Sequence, residues 1–394
     1  MDREQEYLLK LLGAFLRREV PEVWQELDWK KLMGQAYIHN ISGILGYMAM
    51  TYPICPDGET NAALRRMCLD TIMRYANQGA MVEELSRLLA QKGIDHILMK
   101  GFILREYYPV PELRTFGDID IVIRPGDRAK CDSLMREQGF QAKADWEPVF
   151  SYIRPGEYYE IHTEIMEVDV SDKADYRGYF REMWVHAVPM GECRYQFEPE
   201  FHFLYMMTHI AKHVTGSGAG IRMYLDVAAF LRHFGGELDW DYVRQELKTL
   251  VLADFANVVL TLVRDCFGVE SPIPLKPVKE ETLADFLEFT MNGGIFGRVG
   301  RDSGINSLKN QSRAEGETSR VSTLTRRLFP SAKSIETRYT YLQDKPWLLP
   351  AAWVHRLIKT RASWNQHTQE ARNILSADKD TVQKINRLYR EIGL

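Results

Sequence analysis

Apolar positions along the chain recur first with a helical period, then with that of strands, then with a helical period again. Leu8, Leu9, Leu11, Leu12, Phe15 and Leu16 mark one face of an amphipathic helix near the start. A longer helical pattern runs from about Asn61 to Lys92 through Leu64, Cys68, Leu85 and Leu89, with Gly93 as its expected stop. Residues 94–99 form a short apolar run suited to a strand. Lys100-Gly101 follows, then a short helical stretch over 102–108 broken by Pro109 and Pro111. A second strand is expected at 118–123, and a helix over 127–138 that Gly139 ends. Residues 146–153 and 158–165 read as strands joined through Arg154-Pro155-Gly156, and a further strand is expected at 194–197. The helical period then returns, with candidates at 200–214, 221–234, 240–252, 254–267 and 281–292. Gly293, Gly294, Gly297 and Gly300 mark a junction, and 302–317 reads as a polar loop before the last helices, expected over 322–394. The expected class is α+β: a small mixed-sheet core over 94–198, flanked by helical regions over 1–93 and 199–394.

Composition narrows the partners more than the fold. The 394 residues are 45% hydrophobic and 26% charged, an ordinary globular balance. A net charge of −4 lacks the basic field of a general nucleic-acid binder. Nothing in the chain reads as a transmembrane helix or a signal peptide, so a cytoplasmic protein without a membrane partner is expected. The five cysteines are widely spaced and odd in number, which argues for free thiols over zinc ribbons or disulfides.

The stretch Arg-Thr-Phe-Gly-Asp-Ile-Asp-Ile-Val-Ile, residues 114–123, carries the chemistry. Asp118 and Asp120 are two apart at the start of a β-branched run, so they share one strand face while Ile119, Ile121 and Ile123 take the other. Adjacent carboxylates repel, and a hard divalent cation relieves that repulsion. Mg²⁺ favours one or two carboxylates together with substrate phosphates. The segment therefore points to metal-dependent phosphoryl or nucleotidyl transfer. The plain alternative is an Asp-rich turn ahead of a strand.

A strand ending in Lys100-Gly101, a short helix, and then Gly117-Asp118-Ile119-Asp120 on a second strand resemble the nucleotidyltransferase fold of the DNA polymerase β superfamily. Within it, Leu98-Met99-Lys100-Gly101, Leu113-Arg114 and Gly117–Asp120 resemble an uncharacterised bacterial nucleotidyltransferase family. His209–His213, Gly220–Asp226, Leu328-Phe329-Pro330 and Leu348–Arg356 are similar to that family's helical part. The superfamily usually has Gly-Ser where this chain has Lys100-Gly101, and its gap to the aspartates is shorter.

The resemblance implies a transferase that moves a nucleoside monophosphate from an NTP, with Mg²⁺ or Mn²⁺ held by Asp118, Asp120 and a third carboxylate. Glu160 is the candidate for the third, with Glu164 and Asp169 as rivals. Glu160 and His162 share a strand face, where Glu160 would complete the metal site or act as general base and His162 would orient the acceptor or a phosphate. The nucleotide-binding candidates are Lys100, Gly101, Arg114, Gly117, Lys212 and Arg222. Gly101 would allow close approach of the backbone, and Lys100 would pair with phosphate as a point charge. His209 and His213 are candidates for acceptor or phosphate contact.

Each has a plainer reading. Glu160 and His162 are equally a solvated strand face, Arg114 a surface or interface arginine, and Arg222 with Asp226, four apart, an intrahelical ion pair. His202, His209 and His213 lie near one helix face, but without cysteine or a nearby acidic partner they are weak evidence for zinc. A second functional class is open as well: a degenerate member that binds nucleotide or scaffolds a biosynthetic or toxin-antitoxin-like system. Both aspartates argue against it; the missing serine argues for it. A small molecule, sugar, peptide or protein acceptor is favoured over nucleic acid, and the sequence names neither acceptor nor NTP.

Overall fold

A computed structural model describes residues 1–55, 57–146, 148–167, 170–216, 218–293, 329–335, 339, 341–359 and 379–394. Asp169, Gly294, Gly297, Gly300, the loop 302–317 and Leu328 lie outside the described residues.

Four helices precede the sheet: α1 (Arg3–Arg17), α2 (Trp29–Ile38), α3 (Ser42–Thr51) and α4 (Gly58–Gln91). Helix α1 begins with a reciprocal capping box between Asp2 and Gln5, which satisfies two amides the helix itself leaves free. Helix α4 is capped by Asp57, and the turn after it passes through Gly93 at φ +60, the left-handed region where glycine carries no penalty.

The core is one seven-stranded mixed sheet in the order β3-β4-β5-β2-β1-β7-β6. Its strands are β1 (His96–Leu98), β2 (Ile119–Ile123), β3 (Gln141–Trp146), β4 (Val149–Arg154), β5 (Glu157–His162), β6 (Ala187–Gly191) and β7 (Arg194–Phe197). The β2–β5 and β1–β7 pairs are parallel, and the others are antiparallel. Between strands lie α5 (Gly101–Leu104), α6 (Arg128–Glu137) and α7 (Tyr176–Arg181).

Two of these strands, β3 and β6, have no counterpart in the sequence expectation, and the expected hairpin strands shift to 149–154 and 157–162. The physical reason is shared. Strands β3 and β6 are the two sheet edges. The β3 sequence has no β-branched residue, and β6 carries Pro189, which an edge tolerates.

After the sheet come α8 (Pro199–Thr215), α9 (Ile221–Phe234), α10 (Trp240–Thr249), α11 (Ala253–Phe267) and α12 (Glu280–Gly293), then helices at Leu349–Lys359 and Lys379–Glu391. Each sheet face has its own core. Ile119, Ile121 and Ile123 pack with Val82, Leu85 and Leu89 of α4 and with Leu134 and Met135 of α6. Val122 and Ile97 belong to a larger cluster that unites α1, α3, α8, α9 and α11. The N-terminal and C-terminal helices thus share one hydrophobic cluster with the sheet. Among the described residues no helix is long and apolar enough to cross a membrane, and all five cysteines are free.

Candidate active site

The site grows from β2. Its isoleucines point to the α4–α6 side, so Asp120 lies with Val122 on the opposite face, toward α8 and α9. Asp118 sits just before the strand and lines the same cavity as Asp120. Strand β5 runs parallel to β2 with Asp120 opposite Glu160 and Val122 opposite His162. That register brings ligand atoms of Asp120, Glu160 and His162 within 4.8 Å of one another, the one such group of three among the described residues. His162 Nε2 lies 2.9 Å from Asp120 Oδ1 and 3.8 Å from Glu160 Oε2. Tyr158 donates its hydroxyl to Glu160 Oε1 at 2.8 Å. Of the rival carboxylates, Glu164 is held by Arg177 at 3.3 Å.

Lys100 supplies the cation. It occupies φ +47, ψ −118 at the turn from β1 into α5, an uncommon backbone state for a residue with a side chain. Its ammonium lies 2.5 Å from Asp120 Oδ1. Burial works to lower the Lys100 pKa, yet the Asp120 carboxylate overrides it and holds Lys100 above its ordinary value. Burial likewise works to raise Asp120, but Lys100 and the His162 hydrogen bond bring it down to about 2. Asp118 has no salt-bridge partner among the described residues. Burial, followed by the Asp120 charge, pushes its carboxyl up. Two residues apart, the aspartates are in opposite electrostatic states.

A cavity of about 340 Å³ opens between this strand end and the helices α8 and α9. From the core it is lined by Lys100, Gly101, Arg114, Gly117, Asp118 and Asp120. From the helices come His209, Lys212, His213 and Arg222, with Tyr205 and Asp226. Glu160 and His162 stand behind Asp120, outside this lining.

The geometry redistributes several expected roles. Arg114 is 5% exposed and grips Asp226 with two nitrogens, Nε to Oδ1 at 3.0 Å and Nη2 to Oδ2 at 2.7 Å. Its Nη1 donates to the Thr115 carbonyl at 3.2 Å. Asp226 also accepts from Tyr108 Oη at 2.6 Å. It is therefore Arg114, and not the helical neighbour Arg222, that neutralises Asp226. Arg222 donates to the Thr115 carbonyl at 2.6 Å and has no carboxylate within ion-pair distance among the described residues. Burial, then the nearby Arg114 charge, lowers it to about 10. Gly101 packs directly on Arg114 and Phe116: a Cβ there would overlap Arg114 Nη1 and the Phe116 side chain. A Cβ on Gly117 would meet nothing.

On α8, burial holds the histidines neutral. His202 and His213 fall to about 4, and His209 lies well below its usual value. The His209 and His213 rings are 4.5 Å apart. Lys212, lowered by burial, sits 3.7 Å from Glu167. Tyr205, Glu167, Asn40 and Tyr108 escaped the sequence analysis. Tyr205 had a usable signal, since it precedes His209 by one helical turn. Asn40 arrives from the N-terminal helices with no motif to mark it.

Comparison with known proteins agrees with this geometry. A family model described as an uncharacterised nucleotidyltransferase matches residues 25–268. No curated protein and no solved structure matches the chain. The matched span takes in the sheet, the aspartates and the α8–α9 wall of the cavity, and on that span the chain belongs to this nucleotidyltransferase family.

Proposed function

We propose that the protein transfers a nucleoside monophosphate from an NTP to an acceptor hydroxyl or phosphate and releases pyrophosphate. The observation that carries this reading is the parallel register that sets Glu160 beside Asp120, with Asp118 on the same cavity as Lys212 and Arg222. Asp118, Asp120 and Glu160 would hold a divalent cation, Mg²⁺ or Mn²⁺. The residues fit such an ion: the donors are hard oxygens, and Asp118 is a half-buried carboxylate without a salt-bridge partner among the described residues. When bound, the ion would stabilise charge on the phosphate oxygens during in-line displacement.

The protein groups divide the remaining work. Lys100, Lys212 and Arg222 bind phosphate, and Gly117 leaves the backbone open beside the aspartates. Glu160, beside Asp120 in the β2–β5 register, completes the set that would hold the ion, and His162 orients Asp120. His209 and His213, held neutral, act as hydrogen-bonding groups and add no charge. Arg114 serves as a wall, because Asp226 and Thr115 already take its nitrogens. The acceptor is a small molecule, sugar, peptide or protein in preference to nucleic acid.

One observation favours the non-catalytic alternative: Lys100 already neutralises Asp120. Isothermal titration with non-hydrolysable analogues of the four NTPs, with and without Mg²⁺, decides between them. The expected result is Mg²⁺-dependent binding that disappears in the Asp118→Asn/Asp120→Asn double variant. Metal-independent binding of equal strength in both proteins would leave a nucleotide-binding scaffold.

A further inference from the structure

Three polar groups on the helical wall of the cavity have no hydrogen-bond partner among the described residues. They are Tyr205 Oη, His209 Nδ1 and Arg222 Nε, each buried at the atom itself. Tyr205 is only 3% exposed, so bulk solvent does not serve its hydroxyl. Buried polar atoms without partners are uncommon in folded proteins, and each calls for an explanation. Three on one cavity call for a common one.

Their chemistry is of one kind. Burial keeps the Tyr205 phenol protonated, so its O–H is available to donate. The Arg222 Nε–H can only donate. His209 is neutral, with one ring nitrogen able to present a proton. Lys212 adds an ammonium on the same wall, with Glu167 at 3.7 Å as its one ion-pair partner among the described residues. A wall of donors and cations seeks a ligand rich in acceptors and negative charge. The wall also faces the aspartates: the charges of Lys100 and Asp120 act on Tyr205, Lys100 on His209, and Asp118 on Arg222. The apolar lining groups Leu104, Phe116, Met206, Ile210 and Met223 offer an anion nothing.

We infer that Tyr205, His209 and Arg222 form the seat of the β- and γ-phosphates, the end of the NTP that departs as pyrophosphate. The assignment rests on the nucleotidyl-transfer reading and adds to it Tyr205, which no motif marks. In this seat Tyr205 and His209 give direction and Arg222 and Lys212 give charge, so the α-phosphate is left facing Asp118 and Asp120.

Tyr205→Phe is the decisive variant, because it removes only the unpartnered hydroxyl. The ring keeps its edge contacts with Phe180, 5.9 Å between centroids, and its contact with Phe197 at 6.5 Å. Inorganic tripolyphosphate with Mg²⁺ is the probe, since it carries the anion without the nucleoside. Calorimetric titration of the full chain should show Tyr205→Phe binding it about tenfold more weakly than wild type, the effect of one hydrogen bond to a charged group. The melting temperature should hold or rise, because no internal hydrogen bond is lost. Arg222→Gln should weaken binding in the same assay. Unchanged tripolyphosphate affinity in both variants would overturn the assignment and leave the three groups to cavity water. Wild-type protein that binds NTP but not tripolyphosphate would overturn it too, with the broader reading intact. Failure to bind either ligand would sink the broader reading as well.

Discussion

Asp118 and Asp120 look equivalent in the sequence, and a like-charge argument alone treats their neutralisation as equally stabilising. The structure separates them. Asp120 is 5% exposed and compensated twice, by Lys100 at 2.5 Å and by His162 at 2.9 Å. Asp118 is half-buried with no such partner among the described residues, and its carboxyl is pushed upward, by desolvation first and Asp120 second. A group whose folded pKa is raised is destabilising while it is ionised. In metal-free buffer at pH 7, Asp118→Asn should therefore raise the melting temperature. Asp120→Asn should lower stability by roughly 3 kcal/mol, because it strands the Lys100 ammonium beside a neutral amide. Thermal and urea denaturation of the two variants in a chelator measures both. Equal shifts of the same sign would mean that Lys100 does not neutralise Asp120. Both variants should nonetheless lose transfer, so the stability difference separates charge balance in the resting site from chemistry.

The elements that place these residues differ in how far the sequence reveals them. The alternation through 118–123 exposes the aspartate face, because period 2 is a local property of one strand. The pairing of Asp120 with Glu160 is not local. It depends on a parallel register between β2 and β5, which no spacing rule supplies. The edge strands β3 and β6 stayed hidden because edges tolerate weak strand formers and proline. The four-residue spacing of Arg222 and Asp226 suggested an intrahelical pair, but tertiary packing gave Asp226 to Arg114, 112 residues away. That long-range pair links α9 to the turn bearing Lys100, since Arg114 Nη1 fills the space beside Gly101. Two substitutions should then be coupled. Gly101→Ala forces a Cβ against a pinned guanidinium and should cost about 2 kcal/mol. Asp226→Asn should cost roughly 3 kcal/mol on its own and should free Arg114 to yield. The double variant should thus be at least about 0.5 kcal/mol more stable than the sum of the single costs implies. Strict additivity in urea titrations would show that Phe116 alone, and not the pinned Arg114, resists the added methyl.

Across the whole molecule, buried histidines make the fold sensitive to acid. His39 is the clearest case, because it joins distant parts of the chain. Its Nε2 faces the Met291 carbonyl at the end of α12 at 3.1 Å, and its Nδ1 accepts from the Ile221 amide at the start of α9 at 3.4 Å. Only a neutral ring can donate at Nε2 and accept at Nδ1. Burial, opposed by the Met291 contact and aided by the Arg222 charge, lowers the His39 pKa from 6.5 to about 4. The unfolded chain then takes up a proton between those values that the folded chain refuses. Stability from this source is complete above about pH 6.5, declines as the pH falls, and is exhausted near pH 4. At pH 4.5 the loss amounts to about 2.5 kcal/mol for His39 alone. His202 and His213, also lowered to about 4, act in the same direction and keep the wild-type profile steep. His39→Gln retains an amide donor for Met291 but removes the titration. Its stability should fall less than that of wild type between pH 7 and pH 4.5, by about that amount, in paired urea titrations. Identical losses in the two proteins would mean that His39 takes up its proton without disturbing the α9–α12 junction. Because Arg222 sits beside His39 on the cavity side of that junction, acid loosening there should reach the cavity wall before the sheet: the charge that forms on His39 is repelled by a side chain assigned to phosphate.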